Sequence, residues 1–162
     1  MKKTILSTLC FLLVSCFMFF TDAGTRIVVL GSSTAAGAGV SDSNRAWVNQ
    51  YRTYLQSIDP TNTVTNLAKG GYTTCAIMPT GTDPYDTGNH ILEVDTERNI
   101  TKALSLSPNA IIINMPTNDV SNGIPVATQM KHFATIIDLA KAAGVKVWIT
   151  TSQPHNFGEK YD

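Results

Sequence analysis

The residues able to do chemistry in this chain stand where apolar runs stop. Gly31-Ser32-Ser33-Thr34 follows the run 27–30, IVVL, and puts hydroxyl groups at the end of an apolar segment. A serine there can serve as a nucleophile, cap a helix or line a phosphate-binding turn. The phosphate reading is weak, because GSSTAAGAG fits neither GxxxxGK[ST] nor GxGxxG. Lys69-Gly70-Gly71 closes the run 63–68, TVTNLA, where paired glycines expose backbone amides or simply make a turn. Asn118-Asp119 closes the region after the most apolar run, 110–113, as a source of polar groups or as an Asx turn. Of the histidines, His90 reads as a solvated loop residue and His132, beside Lys131 in a helical pattern, as a surface residue. His155 follows the run 145–150 and reads as a loop histidine on the same edge as Ser33, which makes it a remote candidate base.

These groups need elements to position them. The β-branched run at 27–30 lacks alternation and suits a strand buried on both faces of a parallel sheet, 110–113 reads as the most apolar strand of the chain, and 63–68 and 145–150 read as further strands. Between them lie helical patterns. Trp47, Val48, Tyr51, Tyr54, Leu55 and Ile58 define a core-facing stripe over about 45–57, ended by Asp59-Pro60. A weaker helix is expected over 93–105, and 80–90 reads as loop. Pro125 opens a long helix to about 143, with Met130, Phe133, Ile136, Ile137 and Ala140 on one face and Gly144 as its stop. Alternating strands and helices predict a three-layer α/β/α sandwich around a parallel, flavodoxin-like sheet. Ligands bind such sheets at the carboxyl ends of the strands, which is where the hydroxyl, glycine and asparagine clusters fall.

Composition narrows the partners. Twelve basic and twelve acidic residues give zero formal charge with no basic concentration, which argues against nucleic acid. Lys2-Lys3, the apolar stretch 4–20 and Thr21-Asp22-Ala23 predict a signal peptide over 1–23, leaving 24–162 as one secreted or periplasmic domain without a membrane span. Leu13-Val14-Ser15-Cys16 resembles a lipobox, so a lipoprotein anchored through Cys16 is the alternative, although the apolar run continues to Phe20. Cys75 is the only cysteine beyond the leader, which excludes a disulfide framework within 24–162, and no Cys/His spacing suits zinc. No metal or organic cofactor is implied.

Taken in order, the motifs resemble those of the SGNH, or GDSL-like, hydrolases. Gly31-Ser32-Ser33 matches the family's GDS block, with Ser33 at the nucleophile and Ser32 in place of aspartate. Asn66-Leu67-Ala68-Lys69-Gly70-Gly71 is similar to the second block, in which Gly71 corresponds to the glycine whose amide joins the oxyanion hole. Pro116-Thr117-Asn118-Asp119 resembles GxND, with Asn118 at the asparagine that donates its side-chain amide. The resemblance implies a serine attacking an acyl carbon while the amides of Ser33 and Gly71 and the Asn118 side chain receive the oxyanion. The family's DxxH block, which supplies base and orienting carboxylate, does not occur, and the fold implied by the resemblance has a further strand and closing helix. The expectation is therefore a secreted serine esterase, truncated before its base, for small-molecule or carbohydrate esters such as acetyl esters. A catalytically silent binding module on the same fold is the alternative. An uncovered sheet edge is also expected to favour self-association.

Overall fold

The computed structural model describes residues 24–115 and 117–151. The expected leader with Cys16, the residue Pro116, and His155 lie outside the described residues. The elements in chain order are β1 (Arg26–Gly31), α1 (Ser33–Ala36), α2 (Trp47–Ile58), β2 (Thr63–Asn66), β3 (Tyr85–Asp86), β4 (Ile91–Leu92), α3 (Ile100–Ser105), β5 (Ala110–Asn114), α4 (Asn118–Ser121), α5 (Val126–Ala142) and β6 (Lys146–Ile149).

The four long-range strands form a parallel sheet in the order β2-β1-β5-β6, with Gly31 opposite Asn114 and Val29 opposite Asn66. Strand β1 is central, and its side chains divide between two apolar layers. Ile27 and Val29 pack with Val48, Val64 and Ala68 and against Trp47, Tyr51 and Leu55 of the α2 layer. Val28 and Leu30 point the other way, into a larger cluster with Ile100, Ile111, Ile113, Ile136 and Ala140 beneath α3 and α5. Such two-sided burial is why the runs are continuous rather than alternating. The architecture is the expected α/β/α sandwich with a parallel sheet, so the polar strand ends share one edge.

Local chemistry moves several boundaries. α3 starts at Ile100, not 93, because Asn99 caps it: its side-chain oxygen accepts the Lys102 amide at 2.9 Å. The preceding stretch is a turn around Asp95, whose carboxylate accepts the Glu97 amide at 3.0 Å. The stretch expected as loop contains β3, which pairs antiparallel with β4 in a short hairpin. On α2 the apolar stripe is narrower than its spacing suggests: Tyr54 and Ile58 are exposed.

The two faces of the sheet are not equally covered. Ile111 and Ile113 of β5 are fully buried under α3 and α5. On the opposite face Ile112 is only half-buried, and Trp148, its register partner on β6, is 51% exposed. Strand β6 forms one edge of the sheet. No helix among the described residues is long and apolar enough to cross a membrane.

Candidate active site

The turn from β1 into α1 is built on a close approach. A Cβ at Gly31 would lie 2.7 Å from Ala35 Cβ and 2.9 Å from the Asn114 carbonyl oxygen, so only glycine lets β1 pass into α1 here. The Ser32 amide donates to that same Asn114 oxygen at 3.2 Å, and the Lys69 amide donates to the Gly31 oxygen at 3.2 Å. These bonds send two adjacent serines to opposite fates. Ser32 is fully buried, whereas Ser33 opens α1 half-exposed on the rim. As the first residue of that helix, Ser33 has an amide without an intrahelical acceptor. The hydroxyl accessible to a substrate is therefore that of Ser33.

The second segment is tied to the first by Asn66, whose side chain donates to the Ala35 oxygen at 2.7 Å and accepts the Ala68 amide at 3.0 Å. Beyond it Gly71 is exposed with φ +84°, in the region that favours glycine. The third segment reaches back across both. Asn118 Nδ2 donates to Ser32 Oγ at 2.7 Å and to the Tyr72 carbonyl oxygen at 2.8 Å. A carbonyl can only accept, so the Tyr72 contact fixes which end of the Asn118 amide is nitrogen. The strand-end motifs singled out from sequence thus meet at one side chain. Both Asn118 amide protons are engaged, one of them by a neutral hydroxyl. An oxyanion is the stronger acceptor, since charge-assisted hydrogen bonds are about twice as strong as neutral ones, and can displace Ser32 Oγ from that proton.

A second polar chain stiffens the floor. Asp119 is 2% exposed and accepts the Thr74 amide on both oxygens at 3.1 Å as well as the Thr74 hydroxyl. Thr74 Oγ1 also meets His132 Nδ1 at 2.7 Å. With the Thr74 proton given to Asp119, His132 Nδ1 must carry the hydrogen and donate. Burial pushes the Asp119 carboxyl up, against the lowering effect of its Thr74 hydrogen bonds. Burial pulls His132 down from the usual imidazole value, partly countered by the Asp119 charge. His132 is thus not the surface residue its neighbour Lys131 suggests. It is half-buried, with its ring edge-on to Tyr85 at 6.2 Å between centroids.

Among the described residues, no histidine hydrogen-bonds Ser33. His132 is committed to Thr74, and His90 sits in the β3–β4 hairpin turn with its amide on Thr87 Oγ1 at 3.0 Å. On the other side of the turn, a cavity of about 440 Å³ is lined by Thr34, Trp47, Tyr51, Ile112, Asn114 and Thr150. Asn114 donates to Thr150 Oγ1 at 2.7 Å, and its own buried Oδ1 has no partner among the described residues. Cys75 is a buried free thiol whose pKa burial raises. Among the described residues, no group of His, Cys, Asp and Glu side chains could hold a metal ion.

Sequence reasoning named Ser33, Gly71 and Asn118 but missed Ser32, Tyr72, Thr74 and His132 as their supports. A signal for Thr74 and Ser32 existed in their positions beside the motifs; for His132 none did, because its partner is 58 residues away.

No curated protein matches this sequence. Among solved structures, the chain is similar to TesA, with a TM-score of 0.62, 22% identity, and coverage of 85% of this chain and 66% of that one. It is also similar to AlinE4, an esterase of the SGNH-hydrolase family, with a TM-score of 0.60, 20% identity, and 85% and 65% coverage. A third likeness is to the psychrotrophic esterase EstA from Pseudoalteromonas sp., with a TM-score of 0.58, 18% identity, and 85% and 65% coverage. These likenesses establish a shared fold, and the chain spans about two thirds of the length of those proteins. A family model matches residues 29–161, and the chain belongs to the GDSL-like lipase/acylhydrolase family.

Proposed function

We propose that this chain carries the nucleophile and oxyanion hole of a serine ester hydrolase. The observation that supports this reading most directly is the Asn118 side chain, whose amide bridges the Ser32 hydroxyl and the Tyr72 carbonyl beside the half-exposed Ser33. In the proposed reaction Ser33 Oγ attacks the acyl carbon and the carbonyl oxygen takes up the electron pair as an oxyanion. The amides of Ser33 and Gly71 and the Asn118 Nδ2 receive it, and collapse expels the alcohol to leave an acyl-serine that water then hydrolyses. Attack requires a base to take the Ser33 proton. That base is proposed to lie outside the described residues, with His155 the candidate within this sequence.

The substrate class is proposed as carboxylic esters, including acetyl esters of carbohydrates. A two-domain esterase active on acetylated mannans shares the fold at a TM-score of 0.54 and 17% identity, covering 78% of this chain and 30% of that one. Residues 1–23 are proposed as a leader that makes the protein secreted or periplasmic, or lipid-anchored through Cys16 if the lipobox-like segment is used.

The test is hydrolysis of a short-chain acyl ester by the chain beside Ser33→Ala and His155→Ala. Poor hydrolysis by the parent, lost in Ser33→Ala, is the expected result, and its loss in His155→Ala as well would make His155 the base. Binding of the ester without turnover by folded parent protein would instead support the silent binding module.

A further inference from the structure

The loop that carries Gly71 has a peculiar construction. Gly70 and Gly71 have no side chains to pack, and a Cβ at either would meet nothing within 4 Å. Such a loop loses more conformational freedom on ordering than any other, so its shape depends on what grips its ends. Both ends are gripped by one turn, at 95–98.

At the near end, Arg98 Nη1 donates to the Ala68 oxygen at 3.4 Å. At the far end the Tyr72 hydroxyl donates to Asp95 Oδ2. The Tyr72 ring is 9% exposed within the larger apolar cluster, and Lys69 Nζ lies 5.7 Å from its centroid. Asp95 is itself held, its amide donating to the Ala76 oxygen at 3.0 Å and its other carboxylate oxygen accepting the Glu97 amide at 3.0 Å. The acceptor therefore cannot follow a wandering tyrosine. Burial and the Asp95 bond raise the Tyr72 pKa, and the Tyr72 bond lowers that of Asp95, so the phenol is the donor and the carboxylate the acceptor.

We infer that Tyr72 and Asp95 form a positioning pair for the oxyanion hole. By pinning the Tyr72 ring, Asp95 fixes the Tyr72 carbonyl that orients the Asn118 amide, and with it the adjoining Gly71 peptide. The pair touches no substrate. Its effect is exerted through Asn118 and Gly71, and the inference rests on the reading of those groups as oxyanion donors.

The experiment compares the 162-residue chain with Tyr72→Phe, Asp95→Asn and the double variant. Two readouts are taken: steady-state hydrolysis of a short-chain acyl ester, and the side-chain amide resonance of Asn118 in ¹⁵N-labelled protein. Tyr72→Phe keeps the ring and removes only the hydroxyl. It is expected to lower kcat about tenfold with KM within about twofold, a fraction of the ~10²–10³ that outright loss of a donor costs. Asp95→Asn keeps an acceptor and is expected to retain part of the rate, while the double variant is no worse than Tyr72→Phe. In Tyr72→Phe the Asn118 resonance shifts. Because that signal needs no turnover, a parent chain that fails to hydrolyse the ester still leaves the pair decided. An unchanged Asn118 resonance in Tyr72→Phe overturns the inference, as does a rise in KM alone. A lower melting temperature with kcat and resonance unchanged also overturns it, by reducing the pair to a stability contact.

Discussion

The two ends of the sheet's carboxyl edge differ in how completely they are built. At the β1–β2–β5 end, the polar side chains around the turn that carries Ser33 are tied across segments: Ser32 and the Tyr72 carbonyl with Asn118, Asn66 with Ala35, and Asp119 with Thr74. At the β5–β6 end on the α2 face, an apolar cavity borders Thr34, Trp148 is half-exposed and Asn114 Oδ1 has no partner among the described residues. The difference separates two kinds of catalytic requirement. Oxyanion stabilisation needs donors already aimed and costs nothing further at the moment of reaction, and the proposed donors lie at the finished end. Proton transfer needs a base within hydrogen-bond reach of Ser33, and no described residue supplies one.

Breaking the finished end should cost most. Asn118→Ala removes a proposed oxyanion donor and is expected to lower kcat by ~10²–10³, read from steady-state hydrolysis. It also leaves Ser32 Oγ and the Tyr72 carbonyl short of a donor. Asp119→Ala acts one layer deeper. It strands the buried Thr74 amide and hydroxyl and should destabilise the fold by about 1–3 kcal/mol in a urea titration. If that variant melted like the parent, the floor would not depend on this carboxylate.

The His132 link sets a smaller, pH-dependent term. Its folded pKa is depressed below 6.5, so the stability it contributes is present above that value and is lost as pH falls through the folded pKa. Asp119 faces it through Thr74, and Cys75, Asp83 and Tyr85 line the pocket it borders. Asp119 has a raised pKa and so carries the opposite sign, favouring the fold at low pH and losing that contribution as pH rises above 3.8. Between pH 7 and 5 the expected outcome is a falling melting temperature in the parent and a flatter profile in His132→Asn, which keeps a donor toward Thr74. Identical profiles would detach His132 from the network.

Changes at the unfinished end should cost least. Trp148→Lys is expected to leave folding stability within about 0.5 kcal/mol while weakening any concentration-dependent association seen by sedimentation. Asn114→Leu paired with Thr150→Val replaces an incompletely satisfied polar pair by apolar groups and should be neutral or slightly stabilising. A large loss from that pair would mean the polar contact is part of the finished machinery after all.

The sequence made the layers legible because burial on both faces leaves continuous apolar runs, as in 27–30 and 110–113. It placed Ser33, Gly71 and Asn118 after strands at one edge of the sheet, while their proposed roles came from the family resemblance. The supports were hidden for a different reason. Tyr72 looks like any aromatic after a turn until Asp95, 23 residues on, takes its hydroxyl. His132 looks like surface until the hairpin at Tyr85 and the Thr74 hydroxyl close on it. The hairpin itself was obscured by Gly, Asp, Pro and Thr, which read as loop when pairing partners are unknown. Even Asn118 was half legible: its position was clear, but its engagement with Ser32 depends on a contact 86 residues apart.

The most direct test of the central claim is to locate the reactive serine with an activated phosphonate ester and peptide mass mapping. The account predicts one adduct, on Ser33, which survives Ser32→Ala and disappears in Ser33→Ala. An adduct on Ser32, or one that persists in Ser33→Ala, would contradict it.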